Sequence, residues 1–121
     1  MNVYVRNIVF DCSDARALGD FYAELLGWRV VREDWVVVAK DEESLPRLAF
    51  EEVEGYRPPL WPDPERAYPQ QMHLCLGVDD STAAQERALR LGATPLPAMG
   101  GSCPVFADPD GHPFCLCAQN E

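Results

Sequence analysis

Apolar and polar positions alternate from Val3 to Cys12, and from there the period changes. Alternation rich in β-branched residues predicts a strand over 3–12, because successive side chains leave a strand on opposite sides. Beyond it the apolar positions are Leu18, Phe21, Tyr22, Leu25 and Leu26. Their three-and-four spacing is that of one buried helical face. Ser13 or Asp14 is placed to cap the helix at its start, and Gly27 to end it. Trp28–Arg32 and Trp35–Lys40 read as a hairpin around Glu33-Asp34, 41–46 as a turn, and Arg47–Val53 as a further strand. The first half is therefore βαβββ.

The same order then returns. Met72–Val78 alternates, and Asp80 precedes a shorter helix over Ser81–Leu91 with Ala84, Ala88 and Leu91 inward. Thr94–Pro97 is a weak strand interrupted by prolines, which suits a sheet edge. Met99-Gly100-Gly101 is a turn. Cys103–Ala107 and Pro113–Ala118 form a last hairpin through Asp108-Pro109-Asp110-Gly111, with proline and glycine where a tight reversal wants them. Asn7 stands seven residues before Asp14, and His73 seven before Asp80. The helices run to Leu26-Gly27 and Leu91-Gly92. A repeat of this length predicts an α+β domain made of two related halves. Between the halves lie five of the eleven prolines, a stiff, extended stretch that cannot join a central strand. The expected organisation is one domain over 1–121, with module one at 1–54, a Pro-rich connector at 55–70 and module two at 71–121.

Composition narrows the function classes. At 47% hydrophobic and 25% charged residues the chain is globular rather than disordered. A formal charge of −10 argues against binding a phosphate backbone, so no nucleic-acid partner is expected. No apolar run reaches the length of a membrane span and the N-terminus does not read as a signal peptide, so the expectation is a cytoplasmic protein without a membrane partner. The five cysteines, at 12, 75, 103, 115 and 117, include no C-x-x-C pair. They read as reduced thiols packed as small hydrophobes, without the clustered spacing of a zinc site.

Three stretches taken together carry a family resemblance. They are Asp14 through Phe21-Tyr22 to Leu25-Leu26-Gly27-Trp28, Val78-Asp79-Asp80 to Leu91-Gly92-Ala93, and Asp108-Pro109-Asp110-Gly111-His112-Pro113-Phe114. With Trp61-Pro62-Asp63-Pro64 they make the chain resemble the vicinal oxygen chelate superfamily of glyoxalase I, extradiol dioxygenases and bleomycin-resistance proteins, in its glyoxalase-like, actinobacterial form. The resemblance implies two tandem βαβββ modules whose curved sheets form a half-open barrel around a cavity, commonly in a homodimer. It also implies a divalent metal held by the first and fourth strands of each module. Those positions fall on Asn7 and Ala49 in module one and on His73 and Cys115 in module two. Glu51 lies two residues beyond Ala49 and faces the same side of its strand.

Strand parity leads to the same face. If Ile8, Phe10, Leu74, Leu76, Phe114 and Leu116 pack under the helices, then Asn7, Val9, His73, Cys75, Cys115 and Cys117 point to the other, concave side. One imidazole, one amide and several thiols make a poor chelate for Mg²⁺, Mn²⁺ or Fe²⁺. A soft His/Cys set would suit Zn²⁺ or Cu⁺, but sequence does not fix how these strands lie against one another. The leading expectation is a small-molecule-binding protein with no cofactor and no metal (His73 if any). Its apolar or aromatic ligand would meet Asn7, Val9, Ala49, Trp61, His73, Cys75, Cys115 and Cys117. The alternative is a metal-dependent lyase, isomerase or dioxygenase of the glyoxalase class with His73 and Glu51 as catalytic groups; a third reading is a regulatory subunit with a vestigial cavity. His73 divides evenly between a working group and a satisfied cavity histidine. Trp61 reads as an anchor for the connector or as a lid, His112 as structural, and Cys115 and Cys117 as unreactive.

Overall fold

The structure is a computed structural model and describes residues 2–98 and 103–118; the turn expected at 99–101 lies outside them. The chain divides into two compact units, Met1–Tyr56 and Arg57–Glu121. Each holds one four-stranded sheet and one helix in the order βαβββ. Among the described residues no helix is long and apolar enough to cross a membrane.

In the first unit β1 (Asn7–Cys12) is followed by α1 (Ala15–Leu26), β2 (Arg29–Arg32), β3 (Val37–Ala39) and β4 (Arg47–Glu52). The sheet order is β1-β4-β3-β2, with β1 parallel to β4. Asp14 caps α1 by accepting from the Ala17 N–H at 3.0 Å, and Gly27 ends it in the left-handed conformation at φ 69°. Leu18, Phe21, Tyr22 and Leu25 are buried as the spacing predicts, and Gly19 joins them. Beneath the helix, Phe10 meets Tyr22 at 5.1 Å and Phe50 at 5.4 Å between ring centroids. The strand expected from Val3 begins only at Asn7, and Val3, Tyr4 and Val5 are exposed. Alternation reports which face a residue takes, not whether a ladder partner exists, and β4 begins at Arg47, the partner of Asn7.

The second unit repeats the plan with β5 (Leu74–Val78), α2 (Ser81–Arg90), β6 (Thr94–Leu96), β7 (Val105–Ala107) and β8 (Pro113–Ala118), in sheet order β5-β8-β7-β6. Asp80 caps α2 through the Ala83 N–H at 3.0 Å. Only Ala88 of this helix is buried; Ala84 and Leu91, expected inward, are half-buried. Alanines bring little apolar area to an interface, so α2 covers Phe106, Phe114 and Leu116 more thinly than α1 covers its sheet. The β7–β8 turn is organised by Asp108, buried to 3% exposure. Its carboxylate accepts from the Asp110 and His112 N–H groups, its own N–H donates to the His112 carbonyl, and Gly111 takes φ 91°.

The proline-rich stretch differs from the extended connector expected. The Asp63 carboxylate accepts from the Ala67 and Tyr68 N–H groups, and the Leu60 N–H donates to the Tyr68 carbonyl, so the segment folds back on itself. Aspartate between two prolines offers the local backbone a partner that no strand supplies. Pro58 then packs against the Asp108–His112 turn.

Candidate functional site

Within the first unit the ladder fixes which side chains share a face. Asn7 pairs Arg47, Val9 pairs Ala49, Asp11 pairs Glu51, and Val37 pairs Ala49 from the other side. This row lies opposite the Phe10–Leu48–Phe50 row under α1. Val9 is exposed, whereas Val37 and Ala49 are buried. Glu51 carries an exposed side chain, and its carbonyl accepts from the Cys12 thiol at 3.5 Å. The neighbouring Glu52 accepts from the Ala15 N–H at 3.1 Å. Its carboxylate therefore serves the first turn of α1, where the helix dipole favours negative charge.

In the second unit His73 stands just before β5 and is exposed. The strand expected from Met72 begins at Leu74, whose partner is Phe114; the next residue outward on β8 is Pro113, which has no N–H to give a ladder. The His73 ring has Nδ1 3.2 Å from Gln70 Nε2. An amide N–H donating there suits the tautomer with the proton on Nε2, which leaves Nε2–H available to another group. Trp61 stands edge-on to His73 at 6.1 Å between centroids, and its indole N–H donates to the Pro97 carbonyl at 2.7 Å. Trp61 thus ties the connector to the end of β6, with its ring beside the histidine.

The cysteines depart furthest from expectation. Cys103 and Cys117 form a disulfide, so the reading of both as reduced thiols is corrected. The cause is register. Val105 pairs Cys115 across the β7–β8 hairpin, and continuing that pairing outward by two residues sets Cys103 opposite Cys117, with Cα atoms 5.0 Å apart. The parallel β5–β8 ladder sets Cys75 beside Cys115 on the same face. Cys75 Sγ lies 3.5 Å from Cys117 Sγ, and Cys117 Sγ 3.7 Å from Cys115 Sγ. The linear spacing lacks a cysteine cluster, but strand pairing assembles one. Cys75 is exposed rather than buried, which corrects a further part of the thiol reading. Cys115 is buried; that burial, with its own S–H donating toward Cys75, pushes its thiol up to about 11. At neutral pH it is a protonated, unreactive group. Among the described residues, the sulfurs of Cys75, Cys115 and Cys117 are the one set of donor atoms close enough to share an ion, and His73 is not in that set.

A pair of βαβββ modules with parallel first and fourth strands defines the class. Residues 7–117 match the family described as glyoxalase-like domain. The chain belongs to that family, and with it to the vicinal oxygen chelate superfamily. No curated protein matches it. Among solved structures it is similar to a glyoxalase-related enzyme from Fulvimarina pelagi, at 24% identity over 97% of this chain and 88% of that one, with a TM-score of 0.68. The fosfomycin resistance protein FosX from Mesorhizobium loti is similar at 20% identity over 97% and 92%, with a TM-score of 0.67. The antibiotic-binding protein TnmS3 from Streptomyces sp. CB03234 is similar at 20% identity over 97% and 96%, with a TM-score of 0.64. At these identities the likeness is one of fold.

Proposed function

We propose that the protein binds a small apolar or aromatic molecule on a scaffold that has lost most of the superfamily's metal ligands. The donor set at the four chelate positions carries this reading. Ala49 has no donor atom, Asn7 offers a neutral amide, and Cys115 is a soft thiol where such a site uses a carboxylate. Only His73 is a ligand of the kind that Mg²⁺, Mn²⁺ or Fe²⁺ sites use, and those ions want several carboxylates and imidazoles. One histidine does not make a chelate. The antibiotic-binding neighbour supports binding as a use of this fold.

The residues we assign to ligand contact are Asn7, Val9 and Ala49 on the first unit's sheet and Trp61, His73, Cys75, Cys115 and Cys117 in the second unit. Val9 and Trp61 supply apolar surface, and His73 supplies a hydrogen bond through Nε2. The reading includes a cytoplasmic homodimer. It is tested by thermal denaturation against a panel of aromatic metabolites and hydrophobic antibiotics, followed by calorimetry on any hit. A ligand at about a hundred times its Kd adds roughly 2.7 kcal/mol of stability, a rise of several degrees in Tm. The shift should vanish in at least one of the Trp61→Ala and Val9→Asp variants. A panel that gives no shift, or a hit indifferent to both substitutions, defeats the assignment.

A further inference from the structure

We propose that the sulfur cluster of the second sheet becomes, once the Cys103–Cys117 disulfide is reduced, a four-thiolate site for Zn²⁺. The donors are Cys75 from β5, Cys115 and Cys117 from β8, and Cys103 at the approach to β7. A tetrahedral Zn²⁺ with bonds of about 2.3 Å separates its sulfurs by about 3.8 Å along each edge. The sulfurs of Cys75, Cys115 and Cys117 all lie within 4.8 Å of one another, with two of the separations at 3.5 and 3.7 Å. Three corners of the polyhedron are thus in place. The fourth donor, Cys103, sits across the hairpin from Cys117 with its Cα 5.0 Å away. The paired β5–β8 ladder fixes the backbone beneath Cys75, Cys115 and Cys117, so these three donors are set by sheet register, and Cys103, freed from the disulfide, has to turn its sulfur toward them. The exposed Cys75 gives an ion a way in from solvent.

The chemistry closes without an unnamed reactant. A dithiol reductant delivers two electrons and two protons to the Cys103–Cys117 bond and leaves as its own cyclic disulfide. Zn²⁺ then replaces the thiol protons, which pass to solvent. Reoxidation by a disulfide of higher potential re-forms the Cys103–Cys117 bond, removes two of the four donors and expels the ion. Two remaining thiols do not make a closed zinc site. His73 is not among its donors, and the site would switch with the thiol redox state of the surroundings.

The test uses the full chain under anaerobic conditions, with Co²⁺ as a coloured probe for Zn²⁺. Dithiol-reduced, desalted protein should take up about one Co²⁺ per chain. Intense visible bands of tetrahedral thiolate cobalt should appear and be bleached by Zn²⁺. Protein with the disulfide intact should give none of these bands. Cys75→Ser should weaken binding by more than the roughly 10–100-fold that losing an outer-sphere partner costs. Cys12→Ala, which removes a cysteine outside the cluster, should leave binding unchanged. Reduced protein that keeps its native circular dichroism yet develops no bands overturns the proposal. So does binding that is equal in the oxidised protein or untouched by Cys75→Ser.

Discussion

Replacing Gly19 by alanine sets helix propensity against packing. Gly19 lies inside α1, and by propensity alone alanine there should add about 1 kcal/mol. The structure opposes that gain. A Cβ at this position would stand 2.6 Å from Val36 Cγ1 and 3.5 Å from the nearest Phe50 ring atom. Non-bonded carbons settle at about 3.5–4.0 Å, so Val36 must retreat by about 1 Å. It has little freedom to do so, being buried and β-branched, hence stiff at χ1. Phe50 is held in turn by Phe10 and Tyr22. Overpacking of this kind costs about 1–3 kcal/mol, which leaves a net loss of about 0–2 kcal/mol and a fall in Tm of several degrees. Urea unfolding followed by circular dichroism measures the change. A double-mutant cycle with Val36→Ala isolates its cause, because removing Cγ1 should recover part of the loss as a favourable coupling above about 0.5 kcal/mol. A Gly19→Ala protein more stable than wild type by about 1 kcal/mol, with no coupling to Val36, would refute this picture of the α1 interface.

Gly111→Ala should destabilise by about 1–3 kcal/mol, because Gly111 holds φ 91° and a Cβ there would meet Pro58 Cβ at 2.5 Å; a neutral result in urea would show that the connector does not pack on this turn. The Asp34 carboxyl, held down to about 2 by the Arg32 guanidinium, should keep its charge well below the ordinary carboxylate range. Its depressed value means that any stabilising contribution is present above that range and is lost as pH falls toward 2. Carbon-detected NMR titration should show the low midpoint, and Arg32→Gln should return it to the ordinary range. Alkylation at pH 8 read by mass spectrometry should label exposed Cys75 first and spare Cys115 until the pH approaches 11; early labelling of Cys115 would contradict its burial.

Much of the fold was legible because its signals are local. Asp14 and Asp80 announce their helices three residues before the N–H each one caps, and Gly27 marks the end of α1 where a left-handed residue is needed. The last strand falls at Pro113–Ala118, where the apolar run after the Asp-Pro-Asp-Gly turn places it. What failed depends on partners far along the chain. Residues 3–6 alternate like a strand but have no strand opposite them among the described residues, and Met72 precedes a ladder that starts at Leu74. The folding back of the connector rests on Asp63, whose side chain serves N–H groups four and five residues on. The disulfide was within reach. The turn at 108–111 is plain in the sequence, and counting outward from it along an antiparallel hairpin brings Cys103 to Cys117. The approach of Cys75 to Cys115 required the parallel β5–β8 register, which nothing local specifies.

The central claim is that the superfamily chelate is gone while the scaffold remains in use. Elemental analysis of protein purified without chelator and with its disulfide intact addresses it most directly, repeated after loading with Mn²⁺, Fe²⁺ or Ni²⁺ and removing the excess. The expected result is that none of these ions is retained in a way that depends on His73. About one such ion per chain, lost in His73→Ala, would contradict the account and restore a metal-dependent reaction as the purpose of the site.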